Sequence, residues 1–430
     1  MDTNLLSKLN LTYTLVSELK ENQQNPRIHS KKQIKKLESS IETFGLNVPL
    51  VVDKDNIVIS GNAVLRAAKN LGLKEVPTVK VEHLSGTKRK AFILAVNKIA
   101  EEAGWDNSIL KLDFEILIED KFDLSMTGFE VGEIDVLMLD PEMVVEQKEE
   151  EDSFLDGLEI PERVQSGDLW QLGRHKLMCG DSLKDTTLKI LTDNKKANMV
   201  FCDPPYNLKV NGNICKSVKH KEFAMASGEM TEAEFTEFLC YSLTNLVNYT
   251  TDGSIHFICM DWKHVKEMIF ATSSLYTELK NICVWDKGSG GMGSLYRSQH
   301  ELIFVFKNGK SPHVNNIELG KHGRNRTNVW KYPGVRASNP DSLEDLKLHP
   351  TVKNLTMVSD AILDCSKPND IILDTFAGSG TTLLAAEKIK RIAYCVEYEP
   401  HYCDIILHRW EKLTGKSAQL LGNYGEVHNG

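Results

Sequence analysis

The strongest constraint on the fold is the segment of residues 371–396. It begins with a short apolar run that predicts a strand, and Gly378 and Gly380 then predict a turn. Residues 383–387 have the apolar spacing of a helix, and residues 392–396 predict a second strand. A strand, a glycine-rich turn, a helix and another strand form the repeating unit of a helix-covered parallel sheet. The sequence therefore predicts an α/β fold with a doubly wound sheet.

The glycine-rich turn also predicts a ligand site. Glycines let the backbone approach a ligand closely, and a helix N-terminus favours an anionic group. Glu397 ends the second strand about 20 residues later, where an acid accepts hydrogen bonds from ribose hydroxyls. The turn lacks the third glycine of a dinucleotide fingerprint. A ligand with one carboxylate and one ribose fits better, and S-adenosylmethionine has both.

A second motif, Asp203-Pro204-Pro205-Tyr206, follows an apolar run at residues 198–202. Prolines fix φ and lack an N–H, so this loop offers acceptors, the Asp203 carboxylate and the Pro204 carbonyl. These can hold both hydrogens of an exocyclic amino group on a nucleobase, while Tyr206 stacks on the flipped base. An ordinary proline-rich turn is the competing interpretation of the tetrapeptide alone.

Residues 163–416 resemble the amino-directed DNA methyltransferases of the β-group, the DNA methylase N4/N6 family, in which these two motifs occur in this order. Two further matches are His349-Pro350-Thr351-Val352-Lys353 and Glu397-Tyr398-Glu399-Pro400. Asn354 stands where the family usually has a proline. The resemblance implies a Rossmann-like, S-adenosylmethionine-dependent sheet. We expect Asp203 and Asp374 to end neighbouring strands at the same carboxyl edge.

The resemblance also implies residue roles. It assigns catalysis to Asp203, Pro204, Pro205 and Tyr206. It assigns S-adenosylmethionine binding to Asp181, Thr351, Lys353, Asp374, Phe376, Gly378, Ser379, Gly380, Thr381 and Glu397. A helix cap is the alternative for Asp181. No metal is expected, because the sulfonium is already activated and the work is positioning.

The expected function is site-specific methylation of N6 of adenine in duplex DNA. In the family, an aspartate that opens the tetrapeptide is typical of adenine enzymes, and a serine of many cytosine enzymes. An N4-cytosine DNA methyltransferase stays open as an alternative. So does a ParB-like DNA-binding regulatory protein with a degenerate methyltransferase half.

A basic and aromatic stretch lies between the two site motifs. Its candidate DNA-binding residues are Lys321, Arg324, Arg326, Trp330, Lys331 and Arg336. Such a mixture is typical of a nucleic-acid surface, and a solvated loop is the competing interpretation. The position favours a target-recognition insert around residues 307–348, with lysines between residues 209 and 221 adding positive charge. Double-stranded DNA is thus expected as partner despite the net charge of -9, because a local basic face suffices.

The N-terminal stretch resembles the ParB-type partition proteins and their sulfiredoxin-like relatives. The matches are Asn25-Pro26-Arg27, Ser40-Ile41, Phe44-Gly45, Gly61, Arg66-Ala67-Ala68, Leu71-Gly72-Leu73 and Val76-Pro77. Partition proteins carry an arginine-rich, phosphate-holding segment after the glycine, where this chain has Asn62-Ala63-Val64-Leu65-Arg66. The small α+β fold is therefore expected to carry over more safely than nucleotide binding. A DNA-contacting and a docking role both stay open.

Four regions are predicted from these patterns. They are a ParB-like domain at residues 10–85, a helical extension at 86–141, an acidic linker at 142–160 and a methyltransferase domain at 161–425. No apolar run approaches 18 residues, and no signal-peptide pattern is present, so we expect a cytoplasmic protein without membrane contact. The nine cysteines, all from Cys179 onward, are expected to be reduced thiols. The recognition sequence, a homodimer and a partner nuclease stay open.

Overall fold

The structure, a computed structural model, describes residues 9–100, 103–138, 160–207, 228–288, 290, 295–317, 326–334 and 353–425. The chain divides into two compact units, Met1–Glu130 and Val131–Gly430. Within the described part, no helix is long and apolar enough to cross a membrane.

The first unit is a small α+β domain. Its strands are β1 (Leu11–Leu15), β2 (Leu50–Val52), β3 (Val58–Ser60) and β4 (Glu75–Lys80). They form one sheet in the order β1-β4-β2-β3. Its helices are α1 (Lys31–Phe44), α2 (Asn62–Asn70), α3 (Gly86–Ala100) and α4 (Asn107–Glu119).

Local sequence signals explain why these elements begin where they do. The Ser30 hydroxyl accepts a hydrogen bond from the Gln33 amide at 3.1 Å and so caps α1. Gly61 precedes α2 with φ 100°, and a Cβ there would come within 3.1 Å of Leu50. Only glycine suits this position, because both the backbone and the neighbouring side chain exclude a larger residue.

The second unit alternates helices and strands for most of its length. Its helices are α5 (Val131–Met138), α6 (Asp185–Thr192), α7 (Glu232–Asn248), α8 (Val265–Thr272), α9 (Leu355–Cys365), α10 (Thr381–Lys388) and α11 (Pro400–Thr414). Its strands are β5 (Asp168–Leu172), β6 (His175–Cys179), β7 (Ala197–Cys202), β8 (Thr250–Met260), β9 (Glu278–Asp286), β10 (His300–Lys307), β11 (Val329–Lys331), β12 (Ile371–Asp374), β13 (Ile392–Glu397) and β14 (Gln419–Asn423).

These ten strands form one mixed sheet in the order β11-β9-β10-β8-β7-β12-β13-β6-β5-β14. The centre, from β8 to β6, is parallel throughout. Outside the centre, β10 pairs antiparallel with β8 and β9, and β5 pairs antiparallel with β6 and β14. The edge strand β11 pairs parallel with β9. The predicted α/β class is confirmed, and the sheet is less parallel than the alternation of elements suggested.

Both faces of the sheet are covered by helices. Strand β7 shows this directly, since Met199 and Phe201 join one apolar cluster while Val200 and Cys202 join the other. The first cluster contains side chains of α9, α10 and α11, and the second contains side chains of α6, α7 and α8. A strand buried on both faces reads as a continuous apolar run, which is the pattern before the tetrapeptide.

Helix α5 is part of the second unit, although it precedes the acidic run in sequence. Its Asp135 accepts two hydrogen bonds from Arg391, Nη1 to Oδ1 at 2.7 Å and Nη2 to Oδ2 at 2.9 Å. Both side chains are almost fully buried. The boundary between the compact units therefore lies before α5, and not at the acidic run where the composition changes.

Candidate active site

The two site motifs lie side by side at the carboxyl edge of the sheet. Strands β7 and β12 are parallel neighbours, with Met199 opposite Ile372 and Val200 opposite Leu373. Asp203, which follows β7, and Asp374, which ends β12, therefore emerge at the same edge. This confirms the arrangement expected from the sequence.

Two contacts fix the loop that carries the tetrapeptide. The Cys202 Sγ lies 3.5 Å from the Thr375 Oγ1, which joins the ends of the two strands. On the other side, the Asn207 side chain accepts hydrogen bonds from the backbone amides of Gly228 and Met230 at 3.0 and 3.2 Å. Pro204 is buried and Pro205 is half-buried between these contacts. The position of Asp203 is thus determined by strand ends and by side-chain clamps.

The Lys353 ammonium lies at the centre of a buried polar cluster. Its Nζ is 2.7 Å from Asp203 Oδ2, 3.0 Å from Glu301 Oε2 and 3.2 Å from the Tyr206 hydroxyl. Only 7% of the residue is exposed. The resemblance to the family implies that Lys353 binds the cofactor, and in the structure its ammonium contacts Asp203 and Tyr206 of the tetrapeptide.

The remaining contacts complete this cluster. The Tyr206 hydroxyl donates a hydrogen bond to Asp203 Oδ1, so each oxygen of Asp203 has one partner within the protein. Lys287 donates to Glu301 Oε1, and its ammonium also lies 4.9 Å from the centre of the Trp285 ring. Two ammonium groups and two carboxylates therefore balance one another in charge. Glu301, Lys287 and Trp285 were not among the residues predicted from the sequence.

Burial and charge perturb the pKa values of Lys353, Asp203 and Glu301. Burial lowers the pKa of Lys353, but the carboxylates of Asp203 and Glu301 outweigh it and raise that pKa. Burial raises the pKa of Asp203, Lys353 opposes this, and the negative charge of Glu301 reinforces it, so the pKa is raised. Burial also raises the pKa of Glu301, but Lys353 and Lys287 outweigh burial and lower it to about 2. Glu301 is therefore the more firmly ionised of the two acids.

The glycine-rich turn brings a second pair of acids to the edge. Glu397 Oε2 accepts a hydrogen bond from the Gly378 amide at 2.8 Å, and Oε1 accepts one from the Glu399 amide at 3.0 Å. Asp374 accepts from the Thr382 hydroxyl at 2.6 Å and from the Phe376 amide at 3.1 Å. Burial raises the pKa of each acid to about 7. The turn thus brings the Asp374 and Glu397 carboxyl groups together in a buried site, where burial favours their neutral forms.

The second half of the turn packs against α11. Gly380 has φ 87°, and a Cβ there would lie 2.8 Å from Ile406. The Ser379 carbonyl and hydroxyl oxygens accept hydrogen bonds from Arg409 at 2.7 and 3.1 Å. Thr381 is buried as the first residue of α10. Ser379 and Gly380 thus contact α11, and the donor-binding roles expected of Ser379, Gly380 and Thr381 stay a prediction.

Asp181 lies two residues after the end of β6, at the same edge as Glu397. Its Oδ1 accepts a hydrogen bond from the Leu183 amide at 2.9 Å. The residue that caps α6 is Lys184, so Asp181 is not the helix cap considered as the alternative. The Asp181 residue is half-buried.

The predicted DNA-binding residues fall into three groups. Arg326 pairs with Asp360 at 2.9 Å and with Asp364 at 2.8 Å, and its guanidinium lies 4.9 Å from the Trp330 ring. Trp330 is buried in β11, whereas Lys331 is exposed. Lys321, Arg324, Arg336 and Thr351 lie outside the described residues, as do the lysines between residues 209 and 221.

Titratable side chains elsewhere do not form a metal centre in the part of the chain that is described. No group of three or more His, Cys, Asp or Glu side chains there is placed to hold an ion. The eight cysteines described are free thiols, and most are buried.

Comparison with known proteins decides the family. Residues 197–408 match the profile of the N6/N4 family described as DNA methylase. This segment is a DNA methylase domain. Residues 2–97 match the ParB N-terminal domain, and residues 108–165 match the ParB-methyltransferase HTH domain. Both predicted resemblances are confirmed, and the helical extension belongs largely to a helix-turn-helix module that the sequence patterns did not reveal.

Relatives of the methylase domain include named methyltransferases. The type II methyltransferase M2.MboI of Moraxella bovis is 28% identical over 233 residues, 50% of this chain and 81% of that protein. The type II methyltransferase M.HinfI of Haemophilus influenzae is 23% identical over 232 residues, 51% of this chain and 64% of that protein. The solved PvuII DNA methyltransferase, described as cytosine-N4-specific, is 18% identical with a TM-score of 0.42, covering 57% of this chain and 92% of that one.

Proposed function

We propose that this chain transfers the methyl group of S-adenosylmethionine to N6 of adenine in duplex DNA. The observation that carries the proposal is the adjacency of the Asp203 loop and the Gly378 turn at one sheet edge. One loop offers acceptors for an amino group, and the other gathers acceptors for a ribose. A methyl donor and a flipped base bound there would face each other across neighbouring strands.

The amino group must be activated because its lone pair is delocalised into the base. Acceptance of its two hydrogens by the Asp203 carboxylate and the Pro204 carbonyl draws the lone pair out of conjugation. S-adenosylmethionine supplies an electrophilic methyl carbon: the nitrogen–carbon bond forms, the carbon–sulfur bond breaks with its electron pair on sulfur, and the nitrogen loses one proton. Asp203 accepts that proton or passes it to water. Positioning accounts for the catalysis, so no metal is required.

The acceptor set at the glycine-rich turn suits the adenosyl part of the donor. Glu397 offers carboxylate oxygens for the two ribose hydroxyls, and its present hydrogen bonds to the Gly378 and Glu399 amides hold it in place. We assign Phe376, which is half-buried beside these groups, to apolar contact with the donor. Asp181 is assigned to the adenine, and Thr351 keeps its expected role in donor binding.

We choose adenine over cytosine because the first residue of the tetrapeptide is an aspartate. In the family that this chain resembles, aspartate at that position is typical of adenine enzymes. The alternative, N4 of cytosine, has the same amino chemistry and is separated from the proposal only by the product.

DNA contact is assigned to the basic stretch and to the N-terminal modules. Lys321, Arg324, Lys331 and Arg336 are proposed to contact phosphates or base edges. Arg326 and Trp330 are reassigned to support of this stretch, because the ion pairs of Arg326 are directed at α9. The match to a ParB-methyltransferase HTH domain favours a DNA-contacting role over a docking role for the N-terminal part.

The direct test is product analysis. Purified protein would be incubated with S-adenosylmethionine and unmethylated genomic DNA. The DNA would then be digested to nucleosides, which would be separated and identified by mass spectrometry. We expect N6-methyladenine. N4-methylcytosine would select the alternative base, and neither product, with DNA binding retained, would indicate a regulatory protein with an inactive methylase domain.

A further inference from the structure

The buried Lys353 ammonium is shared by two carboxylates, and only one of them belongs to the tetrapeptide. Asp203 contributes one side of this bridge and Glu301, from β10, contributes the other. Glu301 is itself held by Lys287. A carboxylate within a buried ion cluster affects every partner, because charges interact strongly away from water.

We propose that Glu301 is a positioning residue that holds Lys353 away from full pairing with Asp203 and so keeps Asp203 available to the target amino group. This rests on the proposed function. Each Asp203 oxygen already accepts one hydrogen bond, from Tyr206 or from Lys353. A carboxylate oxygen has two lone pairs, so a further hydrogen can be accepted if the ammonium does not take both.

The Tyr206 hydroxyl supports the same assignment. It donates to Asp203 and lies 3.4 Å from Glu301 Oε2, so both acids lie around one hydroxyl. If Tyr206 turns to stack on a flipped base, Asp203 gains a free lone pair while Glu301 still holds Lys353. The cluster can therefore admit a base without leaving the ammonium unpaired, which would be costly in a buried site.

The charged and titratable groups that face Asp203 come from several elements. They are Tyr206 on its own loop, Lys353 before α9, Glu301 on β10, Cys202 on β7, Cys259 on β8 and Asp374 on β12. Lys287 acts on this set through Glu301. Glu301 and Lys287 are the charged residues chosen for replacement, because the tetrapeptide, the glycine-rich turn and Lys353 then keep their own side chains.

The proposal predicts opposite effects for these two residues. Asp203 accepts amino hydrogens only when ionised, so methyl transfer should fall as the pH drops through the raised pKa of Asp203. In Glu301→Gln, a nearby negative charge disappears and Lys353 pairs fully with Asp203. The acid limb of the profile of methylation rate against pH should therefore move to lower pH by about 1 unit. In Lys287→Met, Glu301 draws Lys353 more strongly and the acid limb should move to higher pH.

The experiment measures kcat for DNA methylation from acid to alkaline pH, with saturating DNA and S-adenosylmethionine, for the full chain and both variants. Glu278→Gln is the matched control, because Glu278 pairs with Lys280 at 3.1 Å on β9 at the other end of that strand from Asp286. The control profile should match that of the parent. Calorimetry should find the S-adenosylmethionine affinity of both test variants within about twofold of the parent, since a positioning residue for Asp203 leaves donor binding intact.

Profiles that stay unchanged, or that move in the same direction in both variants, would overturn the proposal. If Glu301→Gln does not fold, Lys287→Met alone tests the proposal. An unchanged acid limb in Lys287→Met would contradict the proposed effect of Glu301 on Asp203. Loss of donor affinity in parallel with kcat would indicate a merely structural role. If the parent chain methylates no DNA, the proposed function is overturned, and with it the role of Glu301 in that function.

Discussion

Replacement of Asp135 by alanine should destabilise the methylase unit, although this residue lies before the acidic run and far from the active site in sequence. The change leaves the Arg391 guanidinium, in a residue that is 1% exposed, without its bidentate partner. Removing one member of a buried ion pair costs about 3–5 kcal/mol, because the remaining charge has neither water nor a counterion.

The lower end of that range applies here. Arg391 keeps three hydrogen bonds to neutral acceptors, to the Ser366 hydroxyl, the Ser366 carbonyl and the Ile389 carbonyl. Asp370 also remains: burial raises its pKa, while the charge of Arg391 lowers it, so the two groups interact. We therefore expect the free energy of unfolding to fall by about 3 kcal/mol.

Urea denaturation of the full chain, followed by tryptophan fluorescence, measures this loss, because Trp170, Trp330 and Trp410 are buried in the second unit. The double variant Asp135→Leu, Arg391→Met is the control, because an apolar pair of similar volume should recover most of the stability. A change below about 0.5 kcal/mol in Asp135→Ala would refute the reasoning, since surface substitutions already fall within that range.

The same ion pair predicts where the chain can be shortened. Removal of residues 1–130 retains α5 and should leave the stability of the methylase unit nearly unchanged. Removal of residues 1–140 also removes Asp135 and should cost about as much as Asp135→Ala. Equal denaturation midpoints for the two truncated chains would show that α5 contributes nothing.

Three further predictions concern the two loops and the basic stretch. S-adenosylmethionine affinity should decrease as the pH falls below about 7, because Glu397 must be ionised to accept two hydroxyls, and Glu397→Gln should bind weakly at every pH; calorimetry measures both. Gly380→Ala should lower the free energy of unfolding by about 1–3 kcal/mol through backbone strain and contact with α11, measured by urea denaturation. Arg324→Ala or Arg336→Ala should flatten the salt dependence of DNA binding or relax the methylated sequence at one position, and Arg326→Ala should lower the free energy of unfolding. If neither Arg324→Ala nor Arg336→Ala alters DNA binding or the methylated sequence, recognition lies elsewhere.

Sequence was sufficient wherever the signal is local. Ser30 and Thr231 each cap the helix that follows them, and Thr231 forms a capping box with Glu234. The ends of β7 and β12 were also predictable, because polar loops follow apolar runs. Helix caps and strand ends depend on residues that are close in sequence, so a short stretch of chain is enough to predict them.

Glu301 was missed because nothing local distinguishes it. It opens the apolar strand β10, and an acid at a strand end usually faces solvent. Its pairing with Lys353 depends on the register in which β10 returns antiparallel beside β8. Only the assembled sheet brings an acid, a lysine and the tetrapeptide, about 50 to 150 residues apart from one another, into one buried cluster.

Composition misled the assignment of Arg326 and Trp330. A basic residue beside an aromatic residue is typical of a DNA surface, but an edge strand with a buried ion pair has the same composition. Trp330 is 5% exposed and packs 6.0 Å from Phe257, and Arg326 stacks over it. Composition also changes at the acidic run, whereas the boundary between the two compact units lies before α5.

The central claim is that Asp203 acts on the amino group and not on the methyl donor. Asp203→Ala, assayed for methylated nucleoside by mass spectrometry and for S-adenosylmethionine affinity by calorimetry, tests it most directly. We expect a loss of methyl transfer of about 10²–10³-fold, comparable to removal of one electrostatic catalytic group, with donor affinity within about twofold of the parent. Methylation at nearly the parent rate, or loss of donor binding in step with activity, would contradict it.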